Sequence, residues 1–183
     1  MPDAADQQSS PPAGGPSPSR QATSFVVKIV VLTLALNFGE KYLVHIGWGE
    51  SFQSAVAAAA ASLARVIDRD VSREGTVIGG GSRSLVVSLE CTALYAKALF
   101  CAGVIAFPAR WRQRAFGLII GVAGVAVLNI FRIAGLVLIA RHASSLFHFA
   151  HLVLMQWFLI SCVAPLWLAW AVWAGKKDRV SNA

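Results

Sequence analysis

Charge is scarce in this chain of 183 residues. Only 14% of it is Asp, Glu, Lys or Arg, against about 25% in an ordinary soluble domain. Acids are scarcest, nine against sixteen basic residues, for a net charge of +7. With 56% hydrophobic residues and a mean hydropathy of +0.62, that shortage excludes a disordered chain, a coiled coil and an ordinary cytosolic enzyme. Cysteine is also rare. Cys91, Cys101 and Cys162 are an odd, sparse set that gives no disulfide framework and no CxxC metal pattern. No internal repeat is present. No basic cluster stands at the start, and the first apolar run begins too late for a signal peptide. In a soluble protein the positive excess would suggest nucleic acid. Here it reads as basic loops facing the cytoplasm, with no nucleic-acid partner.

Long apolar runs are what the chain does have. Residues 1–24 are rich in Pro, Ser, Gly and Gln and read as a disordered cytoplasmic tail. About Ser24–Ile46 forms a first span, with Lys28 near one end, Glu40 and Lys41 near the other, and Trp48 at the interface. Ser51–Ile67 is alanine-rich and helical, too short for a confident span, and is placed along the outer interface. In residues 68–90 the β-branched runs around Gly79-Gly80-Gly81 predict a β-hairpin outside the membrane. Further spans are expected at about Cys91–Phe107, Ala115–Ala140 and Phe147–Trp173, the last holding Pro165 and a belt of Trp167, Trp170 and Trp173. The loop Pro108–Arg114 carries three arginines and no acid, and Lys176, Lys177 and Arg179 follow the last span. Both are expected to be cytoplasmic. The fold class is therefore an all-α polytopic membrane protein. It has about four transmembrane helices, an outer amphipathic helix and a small β-hairpin, with both termini inside. The membrane domain is 25–174, its extracytoplasmic segment is 47–90, and 175–183 is a basic cytoplasmic tail.

Depth then groups the intramembrane polar residues. Arg132 lies 17 residues after Ala115, roughly 25 Å from the cytoplasmic side at 1.5 Å per residue. Cys91 opens the second span, and His148 and His151 open the last, on the same outer side. Three helices thus bring Cys, Arg and His to one depth. Asn129 and Arg132 share a helix face. An arginine in a span either faces the protein interior or snorkels to headgroups. Cys91 alone would more often be a small buried hydrophobe, and its place at a helix start favours reactivity, opposed by adjacent Glu90. Cys101 and Cys162 lie deeper and read as inert. His45 and His142 fit interfacial positions. No carboxylate or second cysteine stands at ligand spacing from the histidines, so no metal is assigned. Lys97 lies in the second span without an assigned role.

These residues resemble a known family. Cys91-Thr92-Ala93-Leu94 resembles the active-site cysteine motif of the exosortase/archaeosortase family. Asn129-Ile130-Phe131-Arg132-Ile133 resembles its Asn-x-x-Arg motif, and Phe147–Gln156 its histidine-bearing last helix. The short length and Val71…Glu74-Gly75-Thr76-Val77-Ile78 look most like the exosortase H type. The resemblance covers roughly residues 25–174. It implies a membrane cysteine peptidase or transpeptidase of the bacterial inner membrane, with its active site outside the cytoplasm. Its substrates would be exported proteins with a C-terminal motif, a transmembrane helix and a basic end. Cys91 would be the nucleophile, His151 (or His148) the base, and Arg132 the oxyanion donor, with Asn129 and Gln156 in support and no cofactor. Membrane lipid is the other expected partner. Where the family usually has glycine two residues after the cysteine, this chain has Ala93. A glycine there would let the substrate backbone approach closely. The non-catalytic alternative is a small membrane scaffold or transport component with an Arg/His polar pathway. A thiol redox protein is a third reading and lacks a convincing resolving cysteine.

Overall fold

The computed structural model describes residues 18–43, 48–79 and 84–181. Helices dominate: α1 Pro18–Leu43, α2 Gly49–Arg65, α3 Leu94–Ala106, α4 Trp111–His142, a single turn α5 Phe147–Phe149, and α6 Met155–Ser181. Among the described residues, three stretches are long and apolar enough to cross a membrane: Ala22–Gly39, Trp111–His142 and Ser144–Lys176. The chain is a multi-pass helical membrane protein. α1 begins at Pro18, ahead of the expected start at Ser24, and α6 continues past Trp173. His45, Arg83, Gly80-Gly81 and residues 1–17 lie outside the described residues.

The expected second span is shorter than the sequence suggests. α3 has 13 residues, about 20 Å of helix against a hydrocarbon core of about 30 Å. The reason is local. Leu89–Thr92 forms a separate 3-10 turn, and Ala93 between turn and helix is left-handed at φ 54° and ψ 31°. A left-handed residue cannot continue a right-handed helix, so Cys91 sits on its own turn rather than at the start of the span.

α3 packs against α1, α4 and α6. Glycine makes the closest of these approaches possible. A Cβ on Gly121 of α4 would come within 1.8 Å of the Phe100 ring of α3, and one on Gly117 within 2.3 Å of the Trp170 indole. Trp170 is buried and donates to the Gln113 carbonyl at 3.1 Å, while the Gln113 side-chain amide reaches the Ala174 carbonyl at 3.2 Å. Phe107 meets both Trp167 and Trp170 edge-on. Trp170 therefore belongs to the helix core, and Trp167 packs against it partly buried. Trp173, paired with Phe116, remains at the surface.

The opposite end of α4 carries α2 and a small sheet. α2 lays Ala57, Ala60, Ala61 and Ala64 against Ile133, Ala134, Leu136 and Val137 of α4 in one buried cluster. Its alanines permit this close packing, and it roofs the last third of α4. A three-stranded antiparallel sheet lies beside it: β1 Ser72–Glu74, β2 Val77–Gly79 and β3 Leu85–Val86, in the order β1-β2-β3. The expected hairpin is the β2–β3 pair, with Ile78 opposite Leu85. The sequence reading missed β1, which joins β2 through Gly75 at φ +57°. Ile78, Leu85, Val71 and Val87 turn into the core.

Two basic residues of this segment bond to neutral oxygens. Arg65 donates to the Val71 carbonyl, and Arg73 to Gly75 and Ser54. Asp68 pairs instead with Arg141 at 2.6 Å and with His142 at 3.0 Å. Asp68 fastens the segment to the far end of α4, so His142 is more than an isolated interfacial residue.

Candidate functional site

The site is built around the turn that carries Cys91. Three of its four carbonyls are claimed, each by a different group. The Thr92 hydroxyl donates to Leu89 O, Asn129 Nδ2 donates to Cys91 O at 2.8 Å, and Lys97 Nζ donates to Thr92 O at 3.1 Å. Thr92 and Asn129 are fully buried, where unpaired polar groups would be costly. The ammonium of Lys97 also lies 4.9 Å above the Phe52 ring of α2. Lys97, which had no role in the sequence, thus links the roof helix to the cysteine turn.

Ala93 explains the departure from the resembled motif in another way. The left-handed backbone at this position is one that glycine adopts freely and alanine with strain. The reason for glycine there is conformational, and no close approach by a substrate is needed to account for it.

Arg132 projects from α4 one turn beyond Asn129. It is 6% exposed, so it faces the interior rather than snorkelling. Through its Nη1, which donates to Asn129 Oδ1 over a long 3.4 Å, it is linked to the residue that holds the Cys91 carbonyl. Its Nε is buried and has no hydrogen-bond partner. No carboxylate pairs with Arg132 among the described residues. A buried cation with an idle donor is expensive and marks a place where negative charge can be received.

The histidines separate. His148 is exposed, whereas His151 is half-buried. His151 lies in a π-helical stretch, Ala150–Leu154, between α5 and α6. Such one-turn widenings are rare and concentrate at functional sites. Its ring stacks on Phe147 at 5.8 Å and 8°, and Phe147 packs on the same buried cluster as Cys91. The described hydrogen bonds do not join His151 to Cys91 or Arg132. Gln156 is exposed. It lines an apolar groove of about 620 Å³ between α1, α3 and α6. Among the described residues no group of three metal-ligating side chains occurs.

One residue escaped the sequence reading. Ser88 immediately precedes the turn, and its hydroxyl lies 3.5 Å from the Cys91 sulfur. The Ser-x-x-Cys spacing was the available signal. The arrangement therefore offers a sulfur, a neutral donor beside it, a buried cation one helix away, and an imidazole on the neighbouring helix. That set suits acyl transfer through sulfur, with charge developing near a prepared donor.

A family model described as "Transmembrane exosortase" matches residues 17–168. No curated protein and no solved structure matches the chain.

Proposed function

The chain belongs to the transmembrane exosortase family, a family of membrane sorting transpeptidases acting on exported proteins with C-terminal sorting signals, and from that premise we propose that it cleaves such tails through Cys91. The observation that carries this reading is Arg132, buried with an unpartnered Nε beside the cysteine turn. Structural arginines are normally paired or solvated, so an idle buried donor suits transition-state charge.

In this reaction His151 takes the proton of the Cys91 thiol, and the resulting thiolate attacks the scissile carbonyl carbon. Arg132 receives the negative charge of the tetrahedral oxygen. The C–N bond then breaks, His151 gives a proton to the departing amine, and a thioester remains on Cys91. An acceptor amine or water, giving its proton to His151, attacks the thioester; the C–S bond breaks, the product leaves and the Cys91 sulfur is regenerated. His151 is preferred to His148 because it is half-buried, in the π-helical stretch, with its ring fixed by Phe147. Asn129 holds the turn and touches Arg132, a positioning role. Gln156 borders the membrane groove, which suits contact with the tail's apolar part. The short chain and the Val71–Ile78 segment favour the exosortase H type. The basic loop 110–114 favours an orientation with Cys91 outside the cytoplasm, in an inner membrane.

The test is co-expression with a protein bearing a C-terminal motif, one span and a basic end, followed by mass mapping of its new C-terminus. Cys91→Ala is expected to abolish cleavage, while Cys101→Ala and Cys162→Ala retain most of it. Full processing by Cys91→Ala would reject the mechanism and favour a non-catalytic scaffold.

A further inference from the structure

We infer that Ser88 is a functional partner of the nucleophile, its hydroxyl donating a hydrogen bond to the Cys91 sulfur in the reactive state. The inference rests on Cys91 being the nucleophile.

Ser88 occupies the cap position of the 3-10 turn, with extended backbone angles of φ −80° and ψ 171°. A serine there ordinarily turns its oxygen onto a backbone N–H of the first turn. Ser88 makes no such cap. The turn is closed without it, since the Cys91 N–H donates to the Ser88 carbonyl at 3.0 Å. The side chain is free of the structural task and lies instead 3.5 Å from Sγ. Its backbone is fixed from behind, because the Ser88 N–H donates to the Val86 carbonyl in β3 and Val87 is fully buried. The hydroxyl is thus delivered to the sulfur from a rigid strand end.

The chemistry follows from proton counting. A thiolate can only accept, and a serine hydroxyl is a neutral donor that keeps its proton throughout. Donation favours the charged sulfur. When the thioester forms, the sulfur loses its charge and the bond weakens. It returns when the acceptor releases the thiolate. Ser88 neither adds to nor removes from the proton balance of the reaction, in which His151 remains the base.

The test reads iodoacetamide alkylation of Cys91 in the detergent-solubilised full chain, by peptide mass spectrometry. Cys101 and Cys162 serve as references in the same digest. Ser88→Ala is expected to slow Cys91 alkylation roughly threefold to tenfold near neutral pH, and to move its pH profile to higher pH. Ser88→Thr keeps the hydroxyl and retains the parent rate and profile. Ser88→Asp separates the two possible roles. Aspartate caps a helical turn as well as serine does, but its carboxylate cannot donate and repels a thiolate. It should therefore react more slowly than Ser88→Ala. An unchanged rate in Ser88→Ala, a parent-like rate in Ser88→Asp, or an unreactive Cys91 in the parent chain would each overturn the inference. The assay needs no substrate. Continued tail cleavage by Cys91→Ala would remove the proposed function through a separate measurement.

Discussion

Ala93 is the residue at which sequence and backbone disagree most sharply. Its φ of 54° places a Cβ where L-residues are strained, at a cost of about 1–2 kcal/mol. Ala93→Gly is accordingly expected to stabilise the protein by about 1 kcal/mol, read as a rise in Tm in detergent. Ala93→Val should lower Tm, since a β-branched residue tolerates this region less. A fall in Tm for Ala93→Gly would contradict the account. The sequence announced that position 93 was unusual without giving the reason, because a dihedral angle leaves no mark in composition. It did place Asn129 and Arg132 on one face, and the 3.4 Å contact follows from that spacing. It could not show Asn129 reaching the Cys91 carbonyl, a contact 38 residues apart in the chain. For Ser88 the Ser-x-x-Cys spacing was a weak signal, for a related reason. A serine before a short helical turn reads as a cap, and only coordinates show its hydroxyl turned onto sulfur.

Among the elements, the packing of α3 on α4 depends on Gly121 receiving the Phe100 ring. Phe100 is 3% exposed and has little room to withdraw. Gly121→Ala should destabilise by about 1–3 kcal/mol through overpacking. Placed together with Phe100→Leu, the penalty should shrink, because the second change removes the ring the new methyl meets. A double-mutant cycle of thermal or denaturant unfolding measures that coupling, and additivity would argue against the contact. At this scale the long apolar helices were legible, since continuous hydropathy survives any tertiary detail. The three short pieces were not. Single-turn elements at 89–92, 147–149 and 150–154 carry too few residues for a periodicity, and they are the pieces that carry Cys91, His148 and His151. The missing strand β1 has the same cause: its three residues, Ser72, Arg73 and Glu74, are all exposed and polar.

For the whole molecule, the clamp between Asp68 and α4 makes stability depend on acid. The hydrogen bond from Arg141 holds the Asp68 carboxyl below its usual value of 3.8. The Asp70 N–H and the charges of Arg141 and His142 assist, against the opposing effect of desolvation. A carboxylate lowered in the folded state contributes fully above its unfolded value and loses that contribution as pH falls through the folded one. The stabilisation should therefore be intact above about pH 4 and decline below it. Thermal unfolding of Asp68→Asn should show a lower Tm at neutral pH and a shallower decline in the acid range. Parallel curves for parent and variant would dismiss the clamp. The helical membrane character and the small sheet were legible from hydropathy and β-branching. The clamp was not, because Asp68 and Arg141 are 73 residues apart.

α4 also acts as a ruler. Eighteen residues separate Trp111 at the arginine-rich end from Asn129 at the Cys91 turn, a rise of about 27 Å. With the arginines anchored among one set of headgroups, the height of the Cys91 sulfur would be set by a rigid rod and the bilayer's by its lipids. Thin bilayers would lift the sulfur into the hydrated interface, and thick ones would submerge it. Alkylation of Cys91 by a water-soluble reagent should therefore fall as acyl chains lengthen in reconstituted vesicles. A rate independent of chain length would show that the helix tilts to compensate. Where alkylation does fall with chain length, membrane composition acts as a regulator of the thiol, without any ligand bound to the protein.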